Sequence, residues 1–505
     1  MDEAYHRVFA DIGQLFTYYA TLPLLSVVVA VVWREWYVIP ALVVTTIVVF
    51  AFGRSLNRRY GDAGEAEATQ GILVVLFAWG LAGVFNALPL ILAAVTVRLQ
   101  LPIPSTPATA PALATFLAPM SALFEGMSGV TGSGFSMVDR PDLLPATIQW
   151  WRSLSQWIGG IGVIVLAAAV VSSSENESFT EIHGNKAPTE TIRSTTIGTA
   201  AAIWWMLAYF TVIAVLLLWI AGMPLWAAIN HGMTGLTTGG FSITSNSMAS
   251  YGPSVQAALI PVMVLGAVSF SVLFFMLQGD GKRATIDAQT RWLFGILGVG
   301  ALVMVGFGVF TEMYRTVPRT VRYVGFQFVS GLTTTGFQTA SSLGSQWPTV
   351  AKVFLVAAMI AGGAAGSTAG GLKAVRIRSL LRETPINAID MAERDRDVGS
   401  EMEGQASAEF GGAAAVALLW FLMLAVATLV CFFVLSTGAS GYSLADVLFE
   451  VTSAASNVGL SSGIIGATSP NVVKLALVFT MWIGRIEIIP LVVGVRVLFG
   501  WSTNL

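Results

Sequence analysis

Thr131-Gly132-Ser133-Gly134-Phe135, Thr237-Thr238-Gly239-Gly240-Phe241, Thr333-Thr334-Thr335-Gly336-Phe337 and Ser456-Asn457-Val458-Gly459-Leu460 are four renderings of one short phrase. Aligned on Gly134, Gly240, Gly336 and Gly459, every copy has a hydroxyl residue three positions earlier (Thr131, Thr237, Thr333, Ser456) and another six earlier (Ser128, Thr234, Ser330, Ser453). A third register lies nine positions before the glycine, at Glu125, His231, Gln327 and Glu450, and is polar every time. The copies stand roughly a hundred residues apart, too far for a solenoid or propeller and far enough for two membrane helices plus a re-entrant segment. Four such segments can meet around one axis.

The surrounding composition is that of a polytopic membrane protein. Hydrophobic residues make up 55% of the 505 and charged residues only 11%, which excludes a soluble surface. Apolar runs of spanning character recur, as at 203–220, 257–277, 293–309 and 413–435. The net charge of −2 singles out no partner, and the single Cys431 lies in an apolar run, where it reads as a packed or lipid-facing thiol. The acidic start, MDEAYHRVFADIG, lacks the basic-then-apolar order of a cleaved signal, so the first apolar segment is expected to be retained.

Hydropathy and breakers give the fold class: an all-α membrane protein of four quasi-repeated units, each a helix, pore helix, filter loop and helix, around one pore. A two-helix hairpin precedes them, with spans at 15–32 and 37–53 joined at Trp33-Arg34-Glu35-Trp36. The divisions are 1–60 for the hairpin and 61–185, 186–285, 286–400 and 401–505 for the repeats. First spans are expected at 70–96, 196–221, 291–311 and 409–435, and second spans at 147–172, 256–277, 350–380 and 471–499. Between them lie helices at 113–128, 224–235, 320–331 and 443–454, too short for about 30 Å of hydrocarbon, which must dip in and return. This makes ten crossings, with both termini on one side. Loops on that side carry more Lys and Arg than the short-helix side, to which Arg34, Arg98, Arg140, Arg152, Arg315, Arg319, Arg322, Lys352 and Lys474 are assigned, so the short helices open outward. The polar stretches 172–194 and 382–408 are either a docking surface for a soluble partner or plain connections.

Backbone that leaves the helix at membrane depth survives only inside protein or facing a watery path. Glycine allows positive φ and close approach, and neighbouring hydroxyls hold up backbone, so the phrase suits a strand whose carbonyls replace the water around a monovalent cation. The ion-facing candidates are Thr131, Gly132, Thr237, Thr238, Thr333, Thr334, Ser456 and Asn457, mainly through backbone carbonyls, with Gly134, Gly240, Gly336 and Gly459 as filter glycines. Helix packing by small residues is the alternative for any one copy. Glu125, His231, Gln327 and Glu450 read as hydrogen-bonding supports behind the filter, or as a direct cation site; no other His or Cys gives His231 metal-ligand spacing.

Two features break the repeat pattern. Gly362-Gly363-Ala364-Ala365-Gly366-Ser367-Thr368-Ala369-Gly370-Gly371-Leu372-Lys373 interrupts the second helix of repeat three and reads as a gate under the filter (Gly362, Gly363, Gly366, Gly370, Gly371, Lys373) or as a kink. It is not a phosphate loop, because no strand precedes it and membrane spans flank it. Arg485 lies midway along the last span, where a charge must be paired or hydrated; facing the pore, it would repel cations. Pairing with Glu487 on the same helix is not expected, since residues two apart do not face each other.

Together these residues resemble the Trk/Ktr/HKT superfamily of potassium-translocating subunits, in its TrkH/TrkG branch. The likeness covers about 55–505 and rests on the four phrases, the break at 362–371 with Lys373, and Gly484-Arg485-Ile486-Glu487; the N-terminal hairpin favours the Trk branch. The resemblance implies potassium as the transported ion, without organic cofactor, enzymatic step or nucleic acid. It further implies a homodimer in the lipid bilayer of a bacterial inner membrane with cytoplasmic termini, regulated by a cytosolic, ring-forming, nucleotide-binding (TrkA-like) subunit. A gated pore and a symporter using sodium or protons both remain open. Gly132 and Asn457-Val458 depart from the threonines of the stronger copies, so the ring is expected to be chemically asymmetric.

Overall fold

A computed structural model describes residues 3–61, 68–174, 196–282, 287–339, 343, 347–381, 401–437 and 441–499. The N-terminal hairpin is α1 (Glu3–Tyr19) leading through one turn into α2 (Thr21–Val32), then α3 (Ile39–Tyr60). Repeat one has α4 (Ala68–Arg98), α5 (Pro119–Thr131) and α6 (Ala146–Ser174). Repeat two has α7 (Thr196–Ile220), α8 (Leu225–Leu236), α9 (Pro253–Ala267) and α10 (Phe270–Leu277). Repeat three has α11 (Ala288–Phe310), α12 (Val317–Leu332) and α13 (Thr349–Ala361), with helix resuming at 374–381. Repeat four has α14 (Glu401–Ser436), α15 (Leu444–Ala455), α16 (Asn471–Ile486) and α17 (Ile488–Phe499).

The short helices α5, α8, α12 and α15 have 13, 12, 16 and 12 residues. At 1.5 Å per residue they reach about 18–24 Å, less than the hydrocarbon thickness. Their inner turns are wholly buried. Each packs against the first helix of its own repeat and the second helix of the preceding one, which arranges the repeats cyclically. Outward faces of α2, α7, α11 and α14 stay apolar and exposed, as at Val28, Trp205, Leu302 and Phe433, the pattern of lipid-facing surface. Among the described residues six helices are long and apolar enough to cross a membrane.

The second helices are more broken than the sequence suggests. Repeat three is interrupted at 362–373, but 256–277 and 471–499, expected as continuous spans, also bend, by 108° between α9 and α10 and by 102° between α16 and α17. Neither bend is made by a glycine. Val268 and Ser269 turn extended, and Glu487 takes φ 65°. The first bend is stabilised by the repeat-three loop: Ala364 N–H donates to Ala267 O (2.9 Å) and Phe270 N–H donates to Gly366 O (2.9 Å). Amide and carbonyl groups freed in one helix thus find partners in the break of another.

Several charges counted with the short-helix side are buried rather than at its surface. Arg152, Lys352 and Lys474 are buried within α6, α13 and α16, and Arg322 lies half-buried in α12. The loops on the short-helix side are poorer in basic residues than a linear reading gives. The stretches 172–194 and 382–408, considered for partner docking, lie mostly outside the described residues.

Besides packing against repeat one, the hairpin caps one of its helices with a carboxylate. Glu35, in the Trp33–Trp36 turn, accepts from the N–H groups of Ala146 (2.7 Å) and Thr147 (2.8 Å), the first donors of α6. These have no partner inside the helix, and a carboxylate also suits the positive end of its dipole. Glu35→Ala is expected to lower folding stability by about 1–2 kcal/mol, read as a lower thermal midpoint of the detergent-solubilised protein. An unchanged midpoint would show that Glu35 does not cap α6.

Candidate functional site

All four short helices end in the same turn. The N–H two residues before the aligned glycine bonds the carbonyl three residues back: Gly132 to Gly129, Thr238 to Gly235, Thr334 to Gly331, Asn457 to Ala454, at 3.0–3.2 Å. The next N–H reaches five back: Ser133 to Ser128, Gly239 to Thr234, Thr335 to Ser330, Val458 to Ser453, at 2.7–2.9 Å. This is the Schellman pattern, which requires a left-handed residue at the first of these positions. Gly132, Thr238, Thr334 and Asn457 have φ of 66°, 49°, 56° and 52°. Gly132, a departure by composition, is the residue this geometry favours; the β-branched threonines are the strained ones.

Two residues on, φ turns positive again at Gly134 (74°), Gly240 (75°), Gly336 (81°) and Gly459 (93°). Here the copies touch. A Cβ on Gly134 would strike the carbonyl oxygen of Gly239, one on Gly240 that of Thr335, one on Gly336 that of Val458, and one on Gly459 that of Ser133. The ring closes through the four repeats in order, each glycine against the carbonyl preceding the next glycine. All four line the floor of an open cavity of about 270 Å³, with Ser136, Asp139, Arg152 and Ser242 in its wall.

The register nine before the glycine turns back onto the chain leaving the ring. Glu125 accepts from Met137 N (2.6 Å) and Ser136 Oγ (3.1 Å), and Glu450 from Ser462 N (2.7 Å) and Ser461 Oγ (2.7 Å). Gln327 donates to Phe337 O (3.2 Å) and accepts from Thr339 N (3.3 Å). His231 donates from Nδ1 to Ala227 O (2.8 Å), leaving Nε2 against Ser242 Oγ (3.0 Å). Three of the four hydroxyls six before the glycine join in: Thr234 and Ser330 donate to Phe241 and Phe337 carbonyls, and Gly459 N donates to Ser453 Oγ. Of those three before, the threonines bond the preceding helical turn, Thr131 to Met127, Thr237 to Met233 and Thr333 to Val329, whereas Ser456 does not.

Sequence reading overlooked two residues of α6. Gln156 donates to Gly239 O and accepts from Phe241 N (3.0 Å), gripping the repeat-two loop on both sides of Gly240. One turn away, Arg152 donates to Glu125 (2.7 Å), Ser136 Oγ (3.1 Å) and Ser242 O (3.1 Å), with its guanidinium carbon 4.2 Å from the Phe241 ring centre. A cluster of polar residues in the first turns of a membrane span, Gln149, Arg152, Ser153, Ser155 and Gln156, was the available signal. Asn457 similarly joins repeats, donating to Ser133 Oγ and Met481 O, both at 2.8 Å.

The 362–373 loop lies against the strained positions. Thr238 Oγ1 donates to Thr368 Oγ1 (3.1 Å), Gly370 N donates to Thr334 Oγ1 (2.7 Å), and a Cβ on Gly370 would strike Ser456 O. Arg485 donates to Thr368 O (2.8 Å) and Gly159 O (3.1 Å), and a Cβ on Gly132 would lie 3.7 Å from its Nη2. Lys373, at φ 72°, folds onto the carbonyl of Ala369. Glu487 pairs with Arg376, just past the loop.

The same architecture is found in known proteins. The crystal structure of the potassium transporter TrkH from Vibrio parahaemolyticus matches with a TM-score of 0.82 over 99% of this chain and 100% of that one, at 23% identity, a likeness of fold. An uncharacterized cation transporter of Methanocaldococcus jannaschii is 31% identical over 376 residues, 74% of this chain and 75% of its own. The Trk system potassium uptake protein TrkH of Escherichia coli is 28% identical over 472 residues, 89% of this chain and 90% of its own. The model of the TrkH family, described as a cation transport protein, matches residues 39–500. That span contains all four glycines, the interrupting loop and Arg485, and the chain belongs to the TrkH family of cation transport proteins.

Proposed function

We propose that this chain carries potassium ions inward across a bacterial inner membrane along the axis of the glycine ring. The closed contact of Gly134, Gly240, Gly336 and Gly459 with the carbonyls of the neighbouring copy is the observation that carries this reading. Left-handed residues two apart turn successive carbonyls to one side of the strand, where an extended strand would alternate them. Carbonyls from Thr131, Gly132, Thr237, Thr238, Thr333, Thr334, Ser456 and Asn457 then replace the hydration shell of the dehydrated ion. Short helices ending at Thr131, Leu236, Leu332 and Ala455 add their negative ends. In this reading 61–185, 186–285, 286–400 and 401–505 are the four pore units, and potassium is cargo rather than a resident cofactor.

Below the ring, Gly362, Gly363, Gly366, Gly370, Gly371 and Lys373 form the gate, with Arg485 as its fixed charge. The Thr368 contacts to Thr238 and Arg485 support this, because the loop must leave both for the path to open. The names of relatives, proteins of a Trk system for potassium uptake, support a multi-component system; in this reading a cytosolic nucleotide-binding partner moves the loop and the chain forms a homodimer. Any nucleotide dependence belongs to that partner, and both termini face it.

Gly336→Ser is expected to reduce the potassium-to-sodium flux ratio by roughly tenfold in reconstituted protein. The new Cβ meets the Val458 carbonyl in a backbone conformation that L residues avoid. An unchanged ratio in folded protein would remove these glycines from the filter.

Arg485→Gln is expected to raise partner-free potassium flux per folded molecule, on the order of tenfold, by removing a positive charge beneath the ring. Arg485→Lys, which keeps the charge, should stay near the parent. A fall in normalised flux in Arg485→Gln would sink the barrier role.

A further inference from the structure

A second ring surrounds the first, on the outward side. Each second helix of a repeat begins beside a proline, at Ala146, Pro253, Thr349 and Asn471. Three residues further stand Gln149, Gln256, Lys352 and Lys474, long polar side chains only 7%, 2%, 6% and 3% exposed. Each reaches the short helix of the next repeat. Gln149 Oε1 accepts from Trp226 Nε1 on α8 (2.8 Å), and Gln256 Oε1 accepts from Arg322 Nε on α12 (2.8 Å). Lys352 Nζ pairs with Asp446 on α15 (2.6 Å), and Lys474 Nζ donates to Ser121 Oγ on α5 (3.2 Å). The series runs one to two, two to three, three to four and four to one.

Three of these side chains also hold the turn that leads into their own helix. Gln149 Nε2 donates to Pro141 and Leu144 carbonyls, Gln256 Nε2 to those of Met248 and Tyr251, and Lys474 Nζ to that of Ala467. The partners Ser121, Trp226, Arg322 and Asp446 lie about one helical turn before Glu125, His231, Gln327 and Glu450. Each short helix is therefore held twice: by the preceding repeat at its outer turn, and by its own outgoing loop one turn further in. A short helix carries its filter turn rigidly at its end, so the spacing of the outer turns is passed to the glycine ring.

We infer that Gln149, Gln256, Lys352 and Lys474 are positioning residues that set the aperture of the ring, and with it the discrimination among alkali cations, without touching the ion. The inference rests on the reading of the glycine ring as a potassium filter. Their chemistry differs, two amides, one ion pair and one lysine on neutral oxygens, while the geometry is shared. Conserved function of the position would thus be hidden from any comparison of residue types between repeats.

The test uses full-length protein reconstituted in liposomes, with potassium, rubidium and sodium fluxes normalised to folded protein. Gln149→Met, Gln256→Met, Lys352→Met and Lys474→Met keep bulk and remove the latch. Each is expected to lower the potassium-to-sodium ratio by roughly three- to tenfold. Lys352→Gln, still able to donate to Asp446, should retain the parent ratio, as should Thr45→Val, a buried hydroxyl lost from α3 outside the repeats. Gln149→Met strands no charge, so it stays readable if the lysine variants misfold. Parent ratios in the folded methionine variants, with Gly336→Ser altered, would overturn the latch and leave the filter standing. Parent ratios in both would overturn the filter reading and the inference together. An equal loss in Lys352→Gln and Lys352→Met would show that the hydrogen bond is not what positions α15.

Discussion

Backbone that leaves the helix inside a membrane must find all its hydrogen bonds within the protein, and this chain leaves the helix repeatedly around the glycine ring. Each filter turn returns its N–H groups to its own short helix, which closes the helix end and starts the ring in one motif. The breaks in the second helices are satisfied differently. The α9–α10 bend and the 362–373 loop hydrogen-bond to each other, and Arg485 supplies donors to the carbonyl of Thr368 and to that of Gly159 on α6. An unpaired amide or carbonyl in such a place would cost several kcal/mol. The interruptions therefore come as a set, and removing one would strand groups in another.

The residues two before the glycines show how strain and attachment are traded. A left-handed non-glycine residue costs roughly 1–2 kcal/mol, so glycine in all four copies would give the cheaper backbone. Only repeat one has it. Thr238 and Thr334 use their hydroxyls on Thr368 and Gly370, and Asn457 uses its amide on Ser133 and Met481. Each such bond returns about 1 kcal/mol, close to the strain it accompanies. Gly132 faces the Arg485 guanidinium, where a branched side chain would crowd the charge. The chemical asymmetry of the ring follows from what each copy faces beneath it, while the glycine and carbonyl contacts stay uniform.

Much of this was legible in the chain because the constraint repeats. The glycine register and the polar register nine before it stood out by recurrence, and both fall on equivalent positions in all four copies. The bend at Val268-Ser269 was not legible because its hydrogen-bond partners lie in another repeat; that at Glu487 had a signal in Pro490, which has no N–H for the Ile486 carbonyl four residues back, and the continuous span expected at 471–499 passed over it. Arg152, Lys352 and Lys474 were counted with the short-helix side although they fall in the first two turns of the spans expected at 147–172, 350–380 and 471–499, because a linear scan treats a cation near the end of an apolar run as interfacial. Burial with Glu125, Asp446 and Ser121 depends on pairings between residues 27, 94 and 353 positions apart. Gln149 and Gln256 went unnoticed because the shared quantity is distance from a helix start, and two of the four copies substitute lysine.

Arg485 can be weighed between anchoring and electrostatics. Its hydrogen bonds are to two backbone carbonyls, and among the described residues its neighbour Glu487 is paired with Arg376 instead. Carbonyl dipoles orient a guanidinium but leave its net charge uncancelled. At an effective dielectric of about 20, a cation some 6 Å away feels roughly 3 kcal/mol of repulsion, about a hundredfold in occupancy. Two charge-assisted hydrogen bonds to carbonyls contribute about 1.5–3 kcal/mol each, a comparable sum that an uncharged donor of similar reach retains in part. The anchoring share is thus partly replaceable and the field is not. On the proposed reading, positive charge rather than the guanidinium's shape is the property this position supplies under the ring.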